Sequence, residues 1–235
     1  MEDFSAGDVL SVEVKEEGRA GVDFLNWQIS PRPFSERPGT ADSFHGPGLY
    51  ALWLDDELIY IGSYRGVASS EKLHSGDVVA SRWWTHIASI TARGNKVHIA
   101  NHSIEALASE FGESHSLVSG LRSAANPEEL HTDAGCLSPL KRLRFAISRW
   151  DVFFESGIAP DTLLKRFNFS YARVETLPAS LDITELQRKI VAKERDLIQS
   201  FKPVCNTTHV PNDAQAALAS VSEVRESLQK AVADI

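Results

Sequence analysis

Residues 48–62 read Gly48-Leu49-Tyr50-Ala51-Leu52-Trp53-Leu54, then Asp55-Asp56-Glu57, then Leu58-Ile59-Tyr60-Ile61-Gly62. Two short apolar runs joined by an acidic turn predict a β-hairpin. With a three-residue turn, Leu54 faces Leu58 and, further along, Tyr50 faces Gly62. Because side chains alternate along a strand, Tyr50, Tyr60 and Gly62 then share one face of the sheet. Two phenols beside a glycine can line a site, although strand tyrosines more commonly pack against a helix.

A helix is predicted over residues 77–90, with Asp77 as a possible N-cap. Arg82 and His86 are four residues apart, so both side chains point to one side of this helix. A guanidinium beside an imidazole suits phosphate binding and proton transfer. The simpler alternative is an Arg–His pair on the surface with no such role.

A second helix is predicted over residues 183–201, with Asp182 or Thr184 near its start and Pro203 after its end. Its apolar residues form one stripe: Ile183, Leu186, Ile190, Leu197, Ile198 and Phe201. Glu194 lies on that stripe, four residues after one member and four before another. A carboxylate on a buried helix face is costly unless it is paired or binds a metal. The alternative is that Glu194 lies at the edge of the stripe and reaches solvent.

Composition divides the rest of the chain. Residues 1–47 are acidic and then rich in Pro, Gly and Ser, and are predicted to form an N-terminal extension or arm. Residues 48–207 are predicted to form one domain, with an insertion at about 101–166. Residues 208–235 are predicted to carry a C-terminal helix, over 212–233, that packs or dimerises. The expected fold class is α/β, with a small mixed or antiparallel central sheet flanked by helices.

One segment is basic in an otherwise acidic chain. Residues 141–173 hold seven Lys or Arg and three Asp or Glu, a net charge of +4. Leu143, Phe145 and Ile147 alternate with basic and polar residues, which predicts a strand with a basic outer face. The charge indicates either a solvated face or a polyanion-binding surface.

Composition also excludes several classes of protein. With 43% hydrophobic and 24% charged residues in 235, the chain is neither disordered nor collagen-like and is long enough for a full core. The longest apolar run, Leu49–Leu54, is far too short to span a membrane, and the acidic start excludes a secretory signal. The two cysteines form no CxxC pair, so a zinc ribbon or disulfide scaffold is not expected. We expect a soluble cytoplasmic protein.

Four separated elements together resemble the GIY-YIG nuclease family. The first two are Gly48-Leu49-Tyr50, with Leu for the first Ile of the family motif, and Tyr60-Ile61-Gly62. The third is an arginine on the following helix, here Arg82, and the fourth is a Glu-x-x-Leu-Ile, Lys-Pro and Asn pattern. That pattern is similar to Glu194-Arg195-Asp196-Leu197-Ile198, Lys202-Pro203 and Asn206. The Arg82-x-x-x-His86 pair looks most like the restriction-endonuclease branch, and the likeness covers roughly residues 46–100 and 167–207.

The resemblance implies a role for each of these residues in phosphodiester hydrolysis. It places one divalent ion on Glu194, which we expect to be Mg²⁺, with Mn²⁺ as a possible substitute. Arg82 would hold the scissile phosphate, and His86 would accept or relay a proton. Tyr50 resembles the general base and Tyr60 would hold the water, although either phenol can serve as the base. Asn206 would brace the site by hydrogen bonding.

The function expected from this resemblance is a divalent-metal-dependent, sequence-specific endonuclease that cuts double-stranded DNA, as a type II restriction enzyme does. The alternatives are a repair, phage or mobile-element nuclease of the same family, or a non-catalytic DNA-binding module on the same core. A palindromic cutter would act as a homodimer on DNA, through the C-terminal helix or residues 101–135. Residues 141–173, the loop 63–76 and residues 28–47 are the expected DNA contacts.

Overall fold

The predicted hairpin forms one edge of a four-stranded antiparallel sheet in the computed structural model of the chain. The structure describes residues 1–66, 76–132, 136–155, 157–175, 182–210 and 219–235. The strands are β1 (Glu2–Ser5), β2 (Leu10–Val14), β3 (Trp27–Pro31), β4 (Gly48–Leu54), β5 (Glu57–Tyr64), β6 (Val97–His98), β7 (Cys136–Leu137) and β8 (Phe167–Arg173). The α-helices are α1 (Ala6–Val9), α2 (Trp84–Thr91), α3 (Asn101–Phe111), α4 (Ser116–Arg122), α5 (Pro127–Leu130), α6 (Leu140–Ser148), α7 (Pro160–Leu164), α8 (Ile183–Phe201) and α9 (Val221–Ala233). The fold is therefore mixed α/β, and its main sheet is antiparallel with helices flanking it.

The chain forms two compact units. The first contains residues 1–10, 31–82 and 164–235, and the second contains residues 11–30 and 83–163. The main sheet, in the order β1-β8-β4-β5, belongs to the first unit. These boundaries differ from the expected division at residues 47 and 207, because β1 pairs with β8 and so begins the main sheet rather than an arm. No helix among the described residues has the length and apolar character needed to cross a membrane.

The hairpin register was predicted correctly at its open end and wrongly at its turn. Tyr50 pairs with Gly62, as expected, but Leu54 pairs with Glu57 across a two-residue turn. A bulge then leaves Ile59 without an opposite residue on β4, so Leu58 faces Trp53 instead of Leu54. Asp55 has the positive φ that a tight two-residue turn requires.

The core of the first unit lies between one face of the sheet and the helices α8 and α9. It includes Leu49, Ala51 and Trp53 of β4, five apolar residues of α8 and Val224, Leu228 and Ala231 of α9. Helix α8 has the predicted bounds, and the Asp182 side chain caps it by accepting from Thr184 N at 2.9 Å. The apolar face of α9 is thus used for packing within the unit, which was one of the two roles expected of the C-terminal helix.

The strand predicted around residues 143–147 is wrong, because this segment is helix α6. Leu143, Ala146 and Ile147 are buried at helical spacing, and Phe145 is buried as well. When a wide face of a helix is buried, apolar residues can occur at every second position over a short stretch, which is also the pattern of a strand.

In the second unit, Arg93 ties three segments together. Its guanidinium donates to the backbone oxygens of Phe24 at 3.1 Å and Phe153 at 2.7 Å. It also lies 4.5 Å from the centre of the Trp27 ring and 4.6 Å from that of Phe154. Burial lowers the pKa of Arg93 to about 10, so this guanidinium is still protonated at neutral pH.

Candidate functional site

Cys205 and Asn206, which come much later in the sequence, bind the outer edge of β5. Cys205 N donates to Ile59 O at 2.8 Å. The Asn206 side chain both accepts from Ile61 N at 2.9 Å and donates to Ile61 O at 2.7 Å. An unpaired edge strand exposes a row of backbone N–H and C=O groups. The contacts with Cys205 and Asn206 give hydrogen-bond partners to these groups at alternate residues, Ile59 and Ile61. Asn206 is buried, and its amide braces β5 at Ile61, between Tyr60 and Gly62.

Glu194 contacts the same edge of the sheet at Ser63, two residues after Ile61. Its Oε2 accepts a hydrogen bond from Ser63 Oγ at 2.6 Å, and the Ser63 backbone also contributes a hydrogen bond to the carboxylate. Backbone amides of an edge strand point outward in the plane of the sheet. Glu194 therefore lies beside the sheet edge, in contact with the residue that follows Gly62.

The pKa of the Glu194 carboxyl is raised above its usual value, chiefly because burial disfavours the charged form. The hydrogen bonds from Ser63 and the nearby side chains of His209 and Arg65 act in the opposite direction. Glu194 on the α8 stripe is thus a half-buried carboxylate that is hydrogen-bonded to Ser63. This agrees with the expectation that a carboxylate there needs a partner.

Tyr50 and Tyr60 lie on the same face as Gly62 and close over it. A Cβ atom on Gly62 would lie 2.6 Å from Tyr50 Oη and 2.6 Å from Tyr60 Cε1. The two ring centres are 6.3 Å apart. Tyr50 is almost completely buried, at 1% exposure, whereas Tyr60 is half-buried and keeps part of its surface in solvent. Gly62 is therefore a close-approach glycine, and the space it leaves is filled by phenol groups.

Arg82 and His86 lie in the middle of the predicted helix, but not on one regular α-helix. Asp77 caps the segment, with Oδ1 accepting from Val79 N at 2.8 Å. A π-helical turn at Val79–Trp83 carries an exposed Arg82, and α2 then begins at Trp84. Arg82 is the last residue of the first unit, whereas His86 is a buried residue of the second. π-helical turns are rare and occur frequently at functional sites.

A buried ion pair fixes the residue from which this helical segment starts. Arg37 Nη2 lies 2.9 Å from Asp77 Oδ2, and the Arg37 side chain is 3% exposed. The guanidinium also lies over the rings of Phe34 and Phe44. Arg37 is therefore a structural cation within residues 28–47, rather than one that is displayed for DNA.

The groups around Glu194 that could bind the expected metal are oxygen donors. The described residues contain no group of three or more His, Cys, Asp or Glu side chains that could hold an ion by themselves. Mg²⁺ is commonly held by one or two carboxylates together with waters and substrate phosphates. Glu194 with the hydroxyl of Ser63 beside it supplies hard oxygen ligands of this kind, so the residues fit a Mg²⁺ ion that binds together with its substrate.

The basic segment 141–173 does not form one positively charged strand. Its arginines have partners within the chain: Arg142 with Ser89, Arg144 with Glu110, Arg149 with Phe145, Arg166 with Asp55, and Arg173 with the Asp42 carbonyl. Of the two readings left open by its charge, these contacts favour a solvated structural face. In the expected DNA-contacting loop 63–76, residues 67–75 lie outside the described part of the chain.

Three residues at this edge were missed by the sequence interpretation: Ser63, Arg65 and His209. Ser63 directly follows the Tyr60-Ile61-Gly62 motif within β5, so strand alternation was available as a signal for it, whereas Arg65 lies one residue beyond the end of the strand. No local pattern marks His209. Comparison of the chain with protein-family models, with curated proteins and with solved structures gives no match.

Proposed function

We propose that this chain is a divalent-metal-dependent endonuclease of the GIY-YIG type, which cuts double-stranded DNA at a specific sequence as a type II restriction enzyme. One observation carries the proposal. Asn206 and Glu194, which are far from β5 in sequence, bind Ile61 and Ser63 at its outer edge, and Tyr50 lies over the intervening Gly62 on the face of the sheet that is turned away from α8. Tyr50, Glu194 and Asn206 are among the residues that the resemblance assigns to a single active site.

Phosphodiester hydrolysis requires a positioned water, a group that accepts its proton and cations that offset charge on the phosphoryl oxygens. The exposed Arg82 guanidinium suits the phosphate, because its planar fork matches two phosphate oxygens. Tyr60 is the phenol with surface in solvent and so is the better placed to hold a water. Tyr50, buried over Gly62, is held in one orientation and can take the proton only with a cation nearby.

Glu194 is the residue that would hold Mg²⁺. When bound, the ion would neutralise phosphate charge and favour ionisation of a bound water. The Ser63 hydroxyl donates to Oε2 and so fixes the orientation of this carboxylate. Asn206 keeps β5 in place through Ile61 and therefore acts on the position of Tyr60.

A double-strand cut at a palindromic site further requires two active sites, and we propose that the protein acts as a homodimer on DNA. The apolar face of α9 is buried within its own unit, so it is not available as the contact surface. The proposal therefore assigns this contact to the 101–135 region, where Phe111 of α3 is 37% exposed.

The test is to replace Glu194 by glutamine, which keeps the size of the side chain and removes its charge. Cleavage of plasmid and phage DNA in Mg²⁺ or Mn²⁺ should fall by about a thousandfold or more, since metal stabilisation is worth several kcal/mol and each 1.4 is tenfold. Duplex binding in a gel-shift titration should not fall in step, because a negative charge near the phosphates has been removed.

Glu185→Gln is the matched control, because Glu185 lies on the same helix, has a side chain that is 38% exposed and pairs with Arg188. This variant should cleave like the wild type. Equal cleavage by folded Glu194→Gln and Glu185→Gln proteins would remove Glu194 from the mechanism. A wild-type protein that binds duplex DNA but cuts none of these substrates would instead support a DNA-binding module.

A further inference from the structure

Cys205 and Asn206 bind the outer edge of β5. Cys205 contacts Ile59 and Asn206 contacts Ile61, so the two chains advance in the same direction. The next residues of the segment are thereby carried towards the end of β5, where Ser63 holds Glu194. His209 lies in this part, and its backbone has a left-handed φ of 64°. Its side chain is exposed.

Arg65 is the first residue after β5 and lies two residues after Ser63, which binds Glu194. Arg65 and His209 are both near enough to act electrostatically on the Glu194 carboxyl. Arg65 is exposed, and neither side chain forms a hydrogen bond or an ion pair with any residue in the described part of the chain.

An exposed guanidinium and an imidazole that lie near a carboxylate without pairing to it are suited to a ligand of opposite charge. A DNA phosphate that approaches Glu194 meets a negative charge, and cations beside that carboxylate are needed to offset the repulsion. The imidazole can donate a hydrogen bond to a phosphate oxygen in either tautomer, and the guanidinium can donate two.

We propose that Arg65 and His209 bind a backbone phosphate of double-stranded DNA at the edge of β5, beside Glu194. This inference rests on the proposed function for its choice of DNA. It adds a phosphate-binding site that is separate from Arg82 and built from residues outside the motif positions.

The experiment measures duplex affinity as a function of salt, in EDTA so that no cleavage occurs, with a short mixed-sequence DNA duplex as the probe. Each phosphate contact contributes about 0.9 to the slope of log affinity against log salt. Arg65→Gln should therefore reduce the magnitude of the slope by about 0.9, and Arg65→Lys should restore it. Arg188→Gln, which removes the same charge from the exposed face of α8, should leave the slope unchanged.

His209 is tested at one fixed salt concentration. His209→Ala should weaken duplex binding by about tenfold, as expected for loss of a hydrogen bond to a charged group. Thr207→Ala, an exposed change on the same segment, should bind like the wild type. Circular dichroism checks that each variant is folded.

The outcomes separate this inference from the proposed function. If the wild type cuts DNA but Arg65→Gln keeps the wild-type slope and His209→Ala keeps the wild-type affinity, the inference is wrong and the nuclease proposal stands. If the wild type binds duplex without cutting it and Arg65→Gln lowers the slope, the nuclease proposal fails and the phosphate site is supported. A wild type that binds no duplex refutes both.

Discussion

Gly62→Ala perturbs the arrangement of the two phenols directly. The added Cβ would lie 2.6 Å from Tyr50 Oη, 2.7 Å from Tyr50 Cζ and 2.6 Å from Tyr60 Cε1. Carbon atoms in optimal contact are about 3.5 Å apart or more, so the rings must shift by roughly 0.9 Å. Tyr50 is 1% exposed and packs on Phe169 with ring centres 6.5 Å apart, so it has little room to move.

Two opposing effects set the change in the free energy of unfolding of Gly62→Ala. Overpacking of a well-packed site costs about 1–3 kcal/mol. Replacing glycine within a strand would otherwise gain about 0.5–1 kcal/mol, because alanine loses less backbone entropy. We therefore expect a loss of about 1–2 kcal/mol in the free energy of unfolding, which is about a tenfold rise in the unfolded fraction.

Guanidinium denaturation followed by circular dichroism measures this loss. A double-mutant cycle with Tyr50→Leu is the control, since a leucine removes the ring that the Cβ meets. The penalty of Gly62→Ala should be smaller in the Tyr50→Leu protein, and the difference is the coupling between the two sites. If Gly62→Ala is as stable as the wild type, or if its cost is the same in both backgrounds, the tyrosines do not close over Gly62 as described.

Two further predictions concern buried groups. Asn206→Ala leaves the Ile61 amide and carbonyl without their partners and should lower the free energy of unfolding by about 2 kcal/mol in a denaturant titration. Asn101→Ala, at an exposed position, is the control and should change the free energy of unfolding little. Equal stability of the two variants would show that the Asn206 amide does not brace β5. Burial raises the pKa of the Cys136 thiol to about 11, and Cys205 is fully buried. Both thiols should therefore react very slowly with a thiol reagent in the native protein at mildly alkaline pH, and both should react once the protein is unfolded in denaturant. Rapid labelling of either cysteine in the native protein would contradict this packing.

The parts of the fold that were predictable from sequence depend on neighbouring residues. The bounds of α8, its cap at Asp182 and the cap at Asp77 follow from periodicity and from side chains that bind the next backbone amides. The pairing of Tyr50 with Gly62 was also predicted, but for an incomplete reason. A turn one residue shorter than expected and a bulge one residue long compensate, so the register at the open end is unchanged.

The errors have a physical origin as well. In α6, Leu143, Phe145 and Ile147 are all buried, and over so few residues helix and strand burial give the same pattern. The net charge of segment 141–173 left open a polyanion-binding surface. Most of its arginines instead contact residues elsewhere in the chain, and a count of charges within the segment does not show these contacts. Asp55, which binds Arg166 at 2.6 and 3.0 Å, is 111 residues away in sequence.

The sequence by itself determined which side chains are available for chemistry and, for the hairpin and for α8, which face of the strand or helix they occupy. Only the tertiary structure decided that Glu194 meets Ser63 across 131 positions and that Asn206 meets Ile61 across 145. It also brought Arg65 and His209 near Glu194, which no motif indicated. Periodicity is a property of residues close in sequence, whereas the groups that satisfy an edge strand are chosen by how the chain packs against it.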